Sequence, residues 1–199
     1  IMKTFITSDI HFGHKNIMSF CPVSRARFKG DVDYMNAQII QDWNNMIGPD
    51  DLTYILGDVA FCSWEKAVGF LRSMNGRKIL IKGNHDIFRL EDYTPYFRDI
   101  RAYHVMNGCI LSHIPMHESN LGRFGTNIHG HLHTNRVKKI IGVNAKTGEF
   151  KYSTENDLRY HCVCVEQTDF APILFEDVIA RIEAEGGNIG FRNGNGPVM

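Results

Sequence analysis

The chain has 199 residues, of which 43% are hydrophobic, and its 22 basic side chains balance 22 acidic ones. That length supports one domain with one substantial core, and the balanced charge argues against a global field drawing the protein to nucleic acid or an anionic membrane. No apolar run approaches the roughly 20 residues of a membrane-spanning helix, and the opening Ile1-Met2-Lys3-Thr4-Phe5 enters strand-like sequence without a signal-peptide pattern.

In chain order, a β-forming run over residues 4–7 ends in Asp9-Ile10-His11, and a loop with a small basic group, Arg25, Arg27 and Lys29, follows. Residues 31–47 carry Met35, Ile39, Ile40, Trp43 and Met46 largely on one stripe and stop at Gly48-Pro49, which predicts the longest helix. A second strand over 52–56 ends in Gly57-Asp58. Ser63 is placed to cap a helix running to Ser73, with Ala67, Phe70 and Leu71 inward and Asn75-Gly76 as its stop. A third strand over 78–81 ends in Gly83-Asn84-His85-Asp86. Asn107-Gly108 predicts a hairpin between strands at 100–106 and 109–112, the second ending in His113. The long polar loop 113–125, with His117 and Arg123, leaves that point as a candidate cover for substrate. A strand over 126–128 then ends in Gly130-His131-Leu132-His133. Further strands are expected over 137–143 and 160–166, and a last helix over 175–185. One domain spanning 1–185 is expected, with the glycine-rich stretch 186–199 as a flexible tail. The five cysteines are odd in number and lack paired thiolate-ligand spacing, which fits a reduced, cytoplasmic protein.

Five strands thus each end in residues that bind metals. In open α/β sheets ligands sit beyond the carboxyl ends of the strands, so these clusters are expected to converge on one rim. Asp9 and His11, like His131 and His133, are two residues apart, a spacing that can serve one ion or two adjacent ions. Oxygen and imidazole donors without thiolate suit manganese, iron or zinc. The ordered set suits two divalent cations and predicts phosphate ester hydrolysis.

In their order and identity the blocks Asp9-Ile10-His11, Gly57-Asp58, Gly83-Asn84-His85-Asp86, His113 and Gly130-His131-Leu132-His133 resemble those of the calcineurin-like metallophosphoesterases. The stretch from Val163 through Pro172-Ile173, with the last helix, resembles the closing segment of small bacterial and phage-type members. The resemblance implies an α/β (α+β) fold, a four-layer αββα sandwich of two mixed sheets flanked by helices, with the metal site at the strand C-terminal rim. It implies one cation on Asp9, His11, Asp58 and His133, and a second on Asp58, Asn84, His113 and His131. The ions are expected to be manganese, with iron, zinc, nickel or magnesium as alternatives. Two such ions, two carboxylates and a bridging hydroxide leave a formal charge of about plus one, suited to an anionic phosphate. The resemblance implies in-line attack by that hydroxide, with His85 as general acid and Asp58 or Asp86 orienting it.

His14, His117, Arg25, Arg27 and Arg123 are candidates for substrate phosphate, with a solvated loop as the alternative for each. His129 alternates out of phase with His131 and is expected to pack on the other face, and His104 and His161 read as structural. Zero net charge, and Lys138-Lys139 as the only small basic pair in the second half, give no track for long nucleic acid. The expected substrate is therefore a small nucleotide or other phosphodiester. The runner-up is a phosphomonoester, including a phosphoprotein, and the third reading is a metal-binding scaffold without turnover.

Overall fold

The computed structural model describes residues 2–190. Strands β1 (Thr4–Thr7), β2 (Leu52–Ile55), β3 (Arg77–Ile81) and β4 (Asp99–Arg101) run parallel in one sheet. The short strand β11 (Ile173–Leu174) pairs antiparallel with the free edge of β1, giving the order β11-β1-β2-β3-β4. The second sheet has the order β10-β7-β6-β5, formed by Tyr160–Cys162, Thr126–His129, Cys109–Ser112 and Tyr103–Met106. In it β10, β7 and β6 are parallel and β5 is antiparallel.

Alternation along each buried strand builds two cores. Phe5, Ile55 and Leu80 face α2 (Val32–Met46) and α3 (Trp64–Ser73), where they meet Met35, Ile39, Trp43, Ala67 and Leu71. Ile6, Tyr54, Leu56, Ile79 and Ile81 face the opposite way, against Cys109, Leu111 and Ile128 of the second sheet, Val163 just beyond β10, and Val178 and Ile182 of α5 (Phe175–Ala184). The outer side of the second sheet is covered by the 113–125 segment, with Leu121 on Ile110 and Tyr160. These are the two mixed sheets with flanking helices expected from the sequence. Asp31 caps α2 by accepting from the backbone N–H groups of Asp33 and Tyr34 at 2.9 and 3.0 Å. Ser63 stands at the N-cap of α3, but its side chain makes no capping bond there.

Two expectations change. The strand expected over 100–106 is two strands: β4 pairs with β3 in the first sheet, and after the single residue Ala102 the chain enters β5 of the second. A continuous run of β-formers carries no mark of which sheet pairs with it. The strand expected over 160–166 stops at Cys162, and a 3-10 turn, Val165–Gln167, follows. The expected strand near 137–143 is β8 (Lys138–Val143), and its partner β9 (Phe150–Asn156) has no apolar alternation because the ribbon is exposed on both faces. Two single-turn helices, α1 (Ile17–Phe20) and α4 (Leu90–Tyr93), are short enough to leave no periodicity. Of the expected tail, Asn188 lies along β7, where its carbonyl accepts from Thr126 Oγ1 at 2.7 Å, and residues 191–199 lie outside the described residues.

Candidate metal centre

The turns beyond β1, β2 and β7 leave extended geometry at once. Asp9, His11, Asp58, His131 and His133 all have positive φ, between 51° and 69°. Left-handed backbone at a residue with a Cβ costs about 1 kcal/mol or more and persists where surrounding structure enforces it. Here it folds the turns tightly enough to aim five side chains at one point. Gly57 is required beside them, because a Cβ there would stand 2.6 Å from both Gly83 Cα and His113 Nδ1.

Two ligand clusters result. The donor atoms of Asp9, His11 and His133 lie within 4.8 Å of one another, as do those of Asp58, His113 and His131. In the first, Asp9 Oδ1 is 3.8 Å from both His11 Nε2 and His133 Nε2. In the second, His113 Nε2 is 3.5 Å from Asp58 Oδ2 and 2.8 Å from Asn84 Oδ1. Asp58 Oδ2 is also 3.7 Å from His11 Nε2, so one carboxylate oxygen stands between the clusters.

Each carboxylate has one tethered and one free oxygen. Asp9 Oδ2 accepts from Ser8 Oγ and from the His131 N–H at 2.8 Å, while buried Oδ1 has no partner. Asp58 Oδ1 accepts from the His85 N–H at 2.8 Å, leaving Oδ2 for the cluster. Both ring nitrogens of buried His11 are likewise without a partner. Buried polar atoms are nearly always satisfied, so Asp9 Oδ1 and His11 Nε2, facing each other at 3.8 Å with no hydrogen-bond partner, fit a cation between them. The tautomer of His113 fits as well. Its Nδ1 lies 2.7 Å from the Leu56 carbonyl and donates there, so in the neutral ring Nε2, 2.8 Å from the Asn84 oxygen, is the nitrogen free to bind a cation. Donor separations of roughly 3 to 3.6 Å are what metal–ligand bonds of about 2.1 Å produce, and the clusters sit near that range.

Burial opposes ionisation of Asp9, but the neighbouring His11 and His113, Ser8 and the His131 N–H outweigh it and hold the carboxyl well below its ordinary range. Burial, reinforced by His113, lowers His131. For His133 burial acts downward too, yet its hydrogen bond to Glu166 prevails and raises it.

The remaining expected residues divide. His85 is half-buried at the rim, its ring 5.5 Å from that of His11 and edge-on to Phe61 at 5.1 Å. A slot of about 200 Å³ opens beside it, lined otherwise by Ala60, Phe61, Cys62, Ile87 and Phe88. Asp86 is not aimed at the His85 ring: its carboxylate accepts from the backbone N–H groups of Asp58, Val59 and Gly83 at 2.9, 3.0 and 2.8 Å. His14 lies against the centre, its ring 5.3 Å from His11 and 4.4 Å from Phe61, and burial with the neighbouring His11 lowers its pKa to about 4.

Arg25 is 0% exposed and so out of reach of substrate; its guanidinium pairs with Glu166 at 2.6 Å. Arg27 pairs with Asp169 at 2.7 Å. Exposed His117 closes its own 3-10 turn by accepting from the Ser119 N–H at 3.2 Å, and exposed Arg123 has no hydrogen bond or ion pair among the described residues. His129 is buried with Nδ1 donating to the Gly130 carbonyl at 2.7 Å, and His104 stacks on Tyr54. Sequence reasoning missed Glu166, whose Oε1 lies 3.0 Å from His133 Nδ1. Nothing local marks it, since its partners Arg25 and His133 are 141 and 33 residues away.

The family model described as calcineurin-like phosphoesterase matches residues 2–174. An uncharacterized protein of Methanocaldococcus jannaschii is 32% identical over 91% of this chain and 92% of its own length. The gene 66 protein of Mycobacterium phage L5 is 37% identical over 42% of this chain, which is 40% of the phage protein. Among solved structures, a protein of unknown function from Aquifex aeolicus superposes with a TM-score of 0.66 at 25% identity, covering 91% of this chain and all of that one. The motif blocks, the two mixed sheets and the paired ligand clusters agree with that match, and the chain belongs to the calcineurin-like phosphoesterase family.

Proposed function

We propose that this protein is a metal-dependent phosphodiesterase acting on a small substrate, a nucleotide among the candidates. Asp9, His11, Asp58 and His133 would hold one divalent cation, and Asp58, Asn84, His113 and His131 the second; the oxygen and imidazole donor set suits manganese, iron or zinc, and manganese is the proposed occupant. The observation that carries this reading is Asp58 Oδ2, free of other partners and 3.7 and 3.5 Å from His11 and His113, ligands of the two clusters. When bound, the two cations supply charge for the phosphate oxygens and acidify a water between them.

The chain's own residues supply the rest. His85 stands outside the ligand set, where its ring can give a proton to the departing ester oxygen. The tether from its N–H to Asp58 Oδ1 fixes its position relative to the bridging carboxylate. The apolar slot beside His85 offers room for an organic arm and supports a diester. A monoester dianion rewards additional cationic contacts, and two of the arginines that could supply them are taken, Arg25 by Glu166 and Arg27 by Asp169. Five free cysteines support a reducing, cytoplasmic setting.

The test is hydrolysis of matched aryl phosphate mono- and diesters by metal-stripped protein titrated with manganese, zinc and magnesium. Metal-dependent cleavage with diester preference is expected. Monoester preference would move the assignment to a phosphatase, and no turnover with both sites filled would overturn the enzyme reading for these esters.

A further inference from the structure

Behind the first cluster lies a pair of charges that the hydrolytic reading leaves unused. The side chains of Arg25 and Glu166 are both 0% exposed, and Glu166 Oε1 accepts from Arg25 Nε at 2.8 Å and Nη2 at 2.6 Å. Withdrawing two ions from water costs several kcal/mol each, which close pairing recovers only in part. Such a pair therefore adds little stability for its size, and what else it holds becomes informative.

It holds the metal cluster from behind. Arg25 Nη2 donates to the Asp9 carbonyl at 3.1 Å and Nη1 to the Ile10 carbonyl at 3.5 Å, fixing the left-handed turn that carries Asp9 and His11. The same Glu166 oxygen faces His133 Nδ1 at 3.0 Å. The donor atoms of Cys21, His133 and Glu166 are close enough to hold an ion of their own, and Glu166 Oε2 is buried without a hydrogen-bond partner, but the Arg25 guanidinium on Oε1 places a positive charge beside that position that a second cation would have to meet. In the other cluster, His113 Nδ1 meets only a backbone carbonyl, that of Leu56. An anionic partner on the far nitrogen fixes the tautomer and raises ligand basicity more than a carbonyl does.

We infer that Glu166 is a positioning residue of the metal centre: held by Arg25, its carboxylate accepts the hydrogen bond from the Nδ1–H of His133 and so leaves the Nε2 lone pair for an ion shared with Asp9 and His11. This inference rests on the metal-centre reading above. It makes the two sites unequal, the Asp9 site depending on a buried carboxylate and the His113 site not.

The experiment is a calorimetric titration of metal-free protein with Mn²⁺, and separately with Co²⁺ while its visible spectrum is followed. Glu166→Gln is expected to weaken one of the two sites by about 10- to 100-fold and leave the other near its original affinity. Because Glu166→Gln strands the Arg25 charge, an Arg25→Met/Glu166→Gln double variant with both charges removed is measured beside it and is expected to show the same one-site loss. Glu166→Asp, which keeps the charge on a shorter arm, is expected to recover part of the affinity. In the metal-free protein the downfield Nδ1–H resonance of His133 is expected to be lost in Glu166→Gln. Unchanged affinity at both sites, or equal weakening of both, would overturn the role of Glu166. Two sites that stay empty in the unsubstituted protein would overturn the metal-centre reading itself, and the role of Glu166 with it.

Discussion

Asp86 accepts from the backbone N–H of Asp58 at 2.9 Å, so the Asp of the Gly-Asn-His-Asp block is spent on the loop that carries Asp58. With Val59 and Gly83 also donating to it, this carboxylate ties the turn after β2 to the turn after β3. Asp86→Asn puts an amide N–H against one of those donors. A loss of about 2 to 3 kcal/mol is expected, read from urea unfolding of the metal-free protein, with residual turnover recoverable at high metal concentration. A variant as stable as the original would show that the three bonds contribute nothing.

Asp58→Asn acts on the chemistry. It removes the negative charge that faces both His11 and His113. Metal content after dialysis is expected to fall at both sites, and turnover to be nearly abolished. Two equivalents of retained metal with normal hydrolysis would show that Asp58 is not the bridge.

His85→Ala is expected to keep both metals and lose about two to four orders of magnitude in turnover, the usual worth of a positioned acid. The loss should be largest for esters with poor leaving groups and shrink as the leaving group becomes more acidic. Full activity on a poor leaving group would remove His85 from the mechanism.

A pH effect on stability follows from His161, remote in sequence from the centre. It is buried with Nδ1 unpartnered, and burial lowers its pKa to about 4 from an ordinary 6.5. Between those values the unfolded chain binds a proton that the folded protein refuses, so stability falls as pH drops through that window and levels off below it. The contribution is on the order of 3 kcal/mol. Unfolding midpoints measured from pH 7 to pH 4 should show this slope, and His161→Leu should make it shallower by that amount, leaving the part due to His14 and His129, whose burial lowers them to about 4 as well.

The first three strands, their helices and the ligand blocks were legible because each strand's β-formers break sharply into Gly, Asp, Asn or His, and the helices carry clear stripes and stops. Partner choice was not legible. Residues 100–106 read as one strand, yet Arg101 pairs in one sheet and Tyr103 in the other. Burial of charge was equally hidden: Arg25 and Arg27 look alike in a polar loop, but one is sealed under the Asp9 turn and the other meets Asp169 at the surface. Glu166 became visible only once β10 placed its turn beside His133.

The single-residue passage at Ala102 joins the sheets along one edge, but the centre joins them at the rim. Asp9, His11, Asp58 and Asn84 follow strands of the first sheet, whereas His113, His131 and His133 follow strands of the second. Cations bound there, as proposed, would act as rivets through both layers, so their binding energy would enter the stability of the sandwich itself. With free metal at about one hundred times its Kd, each rivet adds about 2.7 kcal/mol, and a chelator should loosen the seam between the sheets before either sheet unravels.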